Sequence, residues 1–237
     1  MANLDNTVGT VFIGCLLSAT LFGVTITQTV TYFQSSHSDG WFVVLVVVLS
    51  LCLDVLHVVL GCHGTYLYMV NSIGNLENLT VVPWSYVALI MVTSFTVAVV
   101  RLVFIRRVWY LSNKNYLVTG IQVVFATAAL AIGICAGARA LSLSTFQKVA
   151  DTPWLIYTTT GCDLLSDTAI ACTLCFYIYR SSSGCKGTST RKLLHTIALY
   201  IIGTGFITSL WDILEMVTYV SSNSLLFGVF YISLSKH

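Results

Sequence analysis

The chain has 237 residues, 57% of them hydrophobic and only 8% charged, with two prolines and a formal net charge of +2. So little polar surface cannot coat a water-soluble globule, and basic residues confined to short clusters form no face for nucleic acid. Lipid is the expected solvent, and the fold class is all-α: a polytopic bundle of about seven transmembrane helices in a single domain over residues 1–237.

The opening MANLDNT lacks the positive n-region of a cleaved signal, and the apolar run behind it is too long for a signal's h-region, so it is expected to remain as the first span. Spans are expected at 8–33, 41–66, 84–109, 116–141, 154–180 and 193–219, each long enough to cross with some tilt. A last apolar piece, 224–237, would measure roughly 21 Å as a helix and fall short of the hydrocarbon thickness, so it is expected to be truncated, to thin the bilayer or to re-enter. Turn-forming residues fill the connectors Gln34 to Gly40, Asn71 to Pro83, Ser112 to Asn115, Ser142 to Pro153, Ser181 to Lys192 and Ser221 to Asn223. Trp41, Trp84, Trp109 and Trp154 mark expected span ends, where an amphipathic ring prefers the headgroup level.

Basic residues set the expected orientation. Arg106, Arg107, Lys114, Arg180, Lys186, Arg191, Lys192 and Lys236 fall on one side, and only Arg139 and Lys148 on the other, which makes the first side cytoplasmic and the topology N-out, C-in. The sequon at Asn78 then lies outside and is a glycosylation candidate, in a plasma membrane or endomembrane protein. Cys15, Cys52, Cys135, Cys162, Cys172 and Cys175 lie in apolar runs, where a thiol packs as a small hydrophobe, so structural disulfides are not expected. Cys185, in a basic Ser/Gly-rich connector, is a palmitoylation candidate, with an unmodified thiol as the plainer alternative.

Five acidic residues fall inside expected helices: Asp54, Asp163, Asp167, Asp212 and Glu215. A charge at the bilayer centre costs at least about 2.5–3.5 kcal/mol, so these groups need partners, water or a proton and should face inward. Asp54 with His57 and Asp212 with Glu215 are three residues apart, and Asp163 with Asp167 four, so each pair occupies one helix stripe. With Arg139 near the outer end of span four, these seven residues are the ligand-binding candidates of an outward-opening pocket among spans two, four, five and six, Arg139 offsetting part of the acidic charge and His57 exchanging a proton. The plainer alternative is hydrogen bonding between helices with no ligand. Arg101, about two turns from the cytoplasmic end of span three, is expected to snorkel towards Arg106, Arg107 and the headgroups. His63 is expected at the outer interface and His195 against lipid phosphate. The histidines have no metal-ligand spacing, and no metal or cofactor is expected.

The segments LDNTVGTVFIG, CLDVLHVVL, FIRRVWYLSNKNYLVTG and IGTGFITSLWDIL resemble a family of fungal, chiefly mushroom, seven-span membrane proteins catalogued as a domain of unknown function. The resemblance runs along nearly the whole chain. It implies the seven-span topology and supplies no activity or catalytic residue.

Three functions remain in order. The first is receptor-like or sensory binding of a small amphipathic ligand from the outer side, with membrane lipids around it and a cytoplasmic partner at the basic 180–192 loop. The second is an intramembrane enzyme, terpene-cyclase-like, using a buried carboxylic acid as general acid. The third is a proton-coupled transporter, against which stand an odd span count and no visible repeat.

Overall fold

The computed structural model of the chain describes residues 2–35, 40–71, 83–143 and 152–184, with 203, 208, 210, 212–214, 216 and 217 besides. Five long α-helices carry it: α1 Ala2–Ser35, α2 Trp41–Asn71, α3 Trp84–Leu111, α4 Tyr116–Leu143 and α5 Pro153–Gly184, with no strand among the described residues. Each holds a stretch long and apolar enough to cross a membrane: Phe12–Ser35, Trp41–Leu67, Trp84–Leu111, Tyr116–Ser142 and Pro153–Ser181. These five agree with the first five expected spans to within a few residues and mark an integral membrane protein. The sixth expected span is described only in part. The seventh, with Asn78, Cys185, His195 and Glu215, lies outside the described residues.

Large apolar side chains face outwards on every helix, among them Leu16, Val24, Leu45, Val59, Phe95, Leu102, Val124, Leu165 and Phe176. In water this would be an aggregate; against acyl chains it is the favourable surface. Where the surroundings are as apolar as leucine, the hydrophobic effect gives helices little reason to associate, and close backbone approach takes over. Small residues provide it. A Cβ added at Gly64 would meet the Tyr86 ring at 3.0 Å, and one at Gly61 would touch Leu89 at 3.6 Å, so α2 lies against α3 through its glycines. On the other side of α3, a Cβ at Gly137 would come within 3.1 Å of Met91 and one at Gly133 would run into Ser94. Gly133 and Gly137 are spaced as a G-x-x-x-G pair, the pattern that lets two membrane helices touch.

The turn between α3 and α4 is fixed by its own hydrogen bonds. The Ser112 amide donates to the Val108 carbonyl (2.8 Å) and the Lys114 amide to the Trp109 carbonyl (3.0 Å), closing α3 in a Schellman-type end. Asn113 and Lys114 take the left-handed conformation this end requires (φ 54° and 62°), and Asn115 Oδ1 accepts the Leu117 amide (3.1 Å) to cap α4. Trp109 stacks edge-on against Tyr116 across the turn at 4.8 Å. At the same end of the bundle the Arg106 guanidinium sits 4.0 Å over the Phe42 ring, joining the start of α2 to the end of α3.

These contacts fix the levels of the helices. Gly64 opposite Tyr86 and Gly61 opposite Leu89 set α2 antiparallel to α3, which puts His57 near the level of Thr93 and Asp54 near that of Thr96. On α4, Gln122 donates through Nε2 to the Ala169 carbonyl (3.1 Å) and to Thr173 Oγ1 (2.8 Å) of α5, so α4 and α5 are also antiparallel and Arg139 lies level with the start of α5, near Trp154.

Packing through glycine gives a contrast to measure. Gly133→Leu should lower the stability of the purified protein by about 1–3 kcal/mol through overpacking against Ser94. Gly120→Leu, where an added Cβ meets nothing within 4 Å, should leave it unchanged or slightly raised. Thermal unfolding in mild detergent reads both.

Candidate functional site

Arg101 projects from α3 into the bundle and is held by α5. Its Nε donates to Asp167 Oδ1 (2.7 Å), Nη1 donates to Asp163 Oδ1 (2.8 Å) and Nη2 donates to the Asp163 carbonyl (3.2 Å). The four-residue spacing predicted to align the two aspartates on one stripe of α5 is the spacing that lets one planar guanidinium span both. The Arg101 side chain is only 4% exposed, whereas Asp163 and Asp167 keep 36% and 25% of their side-chain surface open. One oxygen of each carboxylate is engaged by the guanidinium, and the second has no donor among the described residues.

This overturns the expectation that Arg101 snorkels to the cytoplasmic headgroups. The physical reason is direction. Every Cα–Cβ bond in a helix tilts towards its N-terminus, so an arginine reaching for the C-terminal end of its own helix works against that tilt. Arg101 stands 17 residues after Trp84, roughly 25 Å along α3, and its head leans back towards the middle of the span, where only an internal counter-charge can satisfy it.

The expected role of Arg139 fails for a related reason. Arg139 is exposed and lies at the level where α5 begins, about 14 Å along the bundle from Asp163, too far for its side chain to neutralise either aspartate. Arg101 takes that part. The third acid, Asp212, is buried at 5% exposure and feels the charges of Asp167, Asp163 and Arg101, so it belongs to the same cluster. Among the described residues, one guanidinium therefore stands with three carboxyl groups. Asp54 and His57 are also buried, on a stripe of α2 that continues through Gly61 and Gly64 to the α3 contact. Their level near Thr96 and Thr93 is about a turn or two from Arg101. Of the seven predicted ligand-binding candidates, the structure thus groups Asp163, Asp167 and Asp212, sets Asp54 and His57 on the buried face of α2, and leaves Arg139 apart; Glu215 is not described.

Two apolar and polar layers frame the cluster. One turn beyond Arg101, Ile105 and Val108 of α3 pack with Ala126 of α4 and Ile170, Leu174 and Ile178 of α5, sealing it from the end where α3 finishes. Towards the opposite end the buried residues are mixed, Thr93 and Thr160 standing with Val87, Leu89 and Leu155, and Gly161 has nothing within 4 Å of an added Cβ. At that end His63, expected at the interface, hydrogen-bonds through Nδ1 to Ser85 Oγ (2.6 Å) and lies 5.3 Å from the Trp84 ring. Gln122, with its two bonds to α5, was not singled out in the sequence; an amide inside an apolar span is the signal that marks it.

Removing the guanidinium strands two carboxylates at mid-span. Arg101→Met should destabilise the protein by about 3–5 kcal/mol and sharply reduce folded protein in the membrane. Arg101→Met combined with Asp163→Asn and Asp167→Asn should recover a large part of that loss, since the two carboxylates that the guanidinium held are removed with it. Fluorescence-detected size exclusion of detergent extracts measures all three forms.

Residues 163–237 match a family described as a family of unknown function, DUF6534. The matched stretch begins at Asp163, takes in Asp167 and Asp212, and contains IGTGFITSLWDIL, one of the four segments that carried the resemblance; the other three lie before it. No curated protein and no solved structure matches the chain.

Proposed function

We propose that this integral membrane protein is receptor-like, and that it binds a small amphipathic ligand whose polar head is a cation or a multiple hydrogen-bond donor. The head would sit against the open sides of Asp163 and Asp167, with Asp212 beside them, while its apolar tail follows the neighbouring helix surfaces. The observation that carries this reading is the imbalance at Arg101. The guanidinium is buried and makes a hydrogen bond from each of its three nitrogens, yet the carboxylates that hold it keep open surface and, among the described residues, one spare acceptor oxygen each. A pair serving only to fasten α3 to α5 gains nothing from a third buried acid; a site for a positively charged or donor-rich head does.

Access from the end of the bundle that holds Trp84 and Pro153 fits the same reading. The cluster is backed by an apolar layer where α3 finishes, and towards the other end Thr93, Thr160 and the open space beside Gly161 stand among the apolar residues. With the N-terminus outside, as the basic residues favour, the open side faces outwards. A ligand that competes for the aspartates would loosen the α3–α5 tie, and α3 carries Arg106 and Arg107 towards the cytoplasmic face, which gives binding a route to a partner there.

Alkyl amines of medium chain length, set against alcohols and carboxylates of the same length, provide the test. The amines should raise the unfolding temperature of the purified protein by several degrees, and the effect should vanish in Asp163→Asn. Equal stabilisation by all three head groups, or by none, contradicts the reading. Chemical conversion of an added lipid or prenyl compound, seen as a mass change, would favour intramembrane catalysis in its place.

A further inference from the structure

A second constellation, unrelated to the charged cluster, lies between α1 and α2. Cys15 Sγ and Cys62 Sγ are 3.5 Å apart, on two helices that run in opposite directions, 47 residues distant in the chain. Both thiols are free. Cys15 belongs to the membrane stretch of α1 and Cys62 to that of α2. The pair sits towards the end of the bundle that holds His63 and Trp84.

From this geometry we infer that Cys15 and Cys62 form a modification site, a thiol pair that closes to a disulfide on reaction with a low-molecular-weight disulfide oxidant. The sulfurs are in van der Waals contact, and a bond of about 2.05 Å asks them to approach by about 1.5 Å, within reach of small side-chain rotations on two helices already packed together. The two cysteines differ in exposure, which assigns their order. Cys62 is exposed and Cys15 half-buried. The Cys62 thiolate attacks the oxidant, forming a mixed disulfide and releasing one thiol. Cys15 then gives up its proton and attacks the Cys62 sulfur, releasing the second thiol, so the two electrons lost by the protein are those gained by the oxidant. The product ties α1 covalently to α2. Helix α1 gains most from such a tie, because its outward face is broad and apolar from Phe12 to Phe33.

The sequence alone did not pair these residues, since apolar runs with scattered cysteines offer no register between helices. The full chain in lipid vesicles, treated with the membrane-permeant oxidant 4,4'-dithiodipyridine and blocked with N-ethylmaleimide, tests the pairing. Peptide mapping without reduction should find a linked Cys15–Cys62 peptide in most of the protein. It should disappear on reduction and be absent from Cys15→Ser and from Cys62→Ser, while Cys172→Ser keeps it. Alkylation counted on the intact chain gives a second reading. Oxidised and blocked wild type should hold two pyridyl or maleimide adducts fewer than the sum of its cysteines, and either serine variant should show no such deficit. Wild type in which Cys15 and Cys62 each carry an adduct, with no linked peptide, would overturn the proposal.

Discussion

A guanidinium cannot remain alone in hydrocarbon, and the arrangement of α3 and α5 follows from that constraint. Arg101 leans towards the middle of its span and meets two carboxylates that α5 presents one turn apart. Coulomb attraction is strong where water is scarce, and the three charge-assisted hydrogen bonds supply the geometry that repays desolvation. The resulting contact is directional. It fixes the depth of α5 against α3 and its rotation about its own axis, because Asp163 and Asp167 reach one guanidinium only from one face. Glycine-mediated packing does the complementary task on the other sides of α3: it sets how closely α2 and α4 approach, and much less which residues must oppose each other.

Much of the architecture is legible in the sequence because lipid makes strong and simple demands. Trp41, Trp84 and Pro153 stand where α2, α3 and α5 begin, and Ser112 to Asn115 form the predicted short connector. The pairing of Asp163 with Asp167 on a single stripe also follows from helical periodicity. Partners across helices do not. Arg139 and Arg101 are both arginines in otherwise apolar stretches, and depth alone does not say which of them meets the aspartates. The tilt of the Cα–Cβ bond does: it turns Arg101 inwards along α3. Arg139, on α4, sits close enough to its span end for its charge to remain at the interface. The contacts between Cys15 and Cys62, His63 and Ser85, and Gln122 and Thr173 depend on helix register, which hydropathy cannot encode.

The polar groups divide by the number of bonds they can make. Gln122 spends both amide hydrogens on α5, and His63 meets Ser85; these contacts fasten helices and use up their donors. The Arg101 cluster is different in kind, since among the described residues its acids outnumber its base and Asp163 and Asp167 keep open surface. That surplus lies within the stretch similar to DUF6534, which starts at Asp163 itself. It is the feature on which the proposed ligand reading rests.

The central claim is that Arg101 and Asp167 are energetically coupled inside the membrane. A double-mutant cycle with Arg101→Met, Asp167→Asn and the combined variant, read by unfolding in mixed micelles with rising SDS, measures that coupling directly. The account predicts an interaction energy above about 1 kcal/mol, with the combined variant more stable than the sum of the single losses implies. Additive losses within about 0.3 kcal/mol would mean that the two groups act independently, and would contradict it.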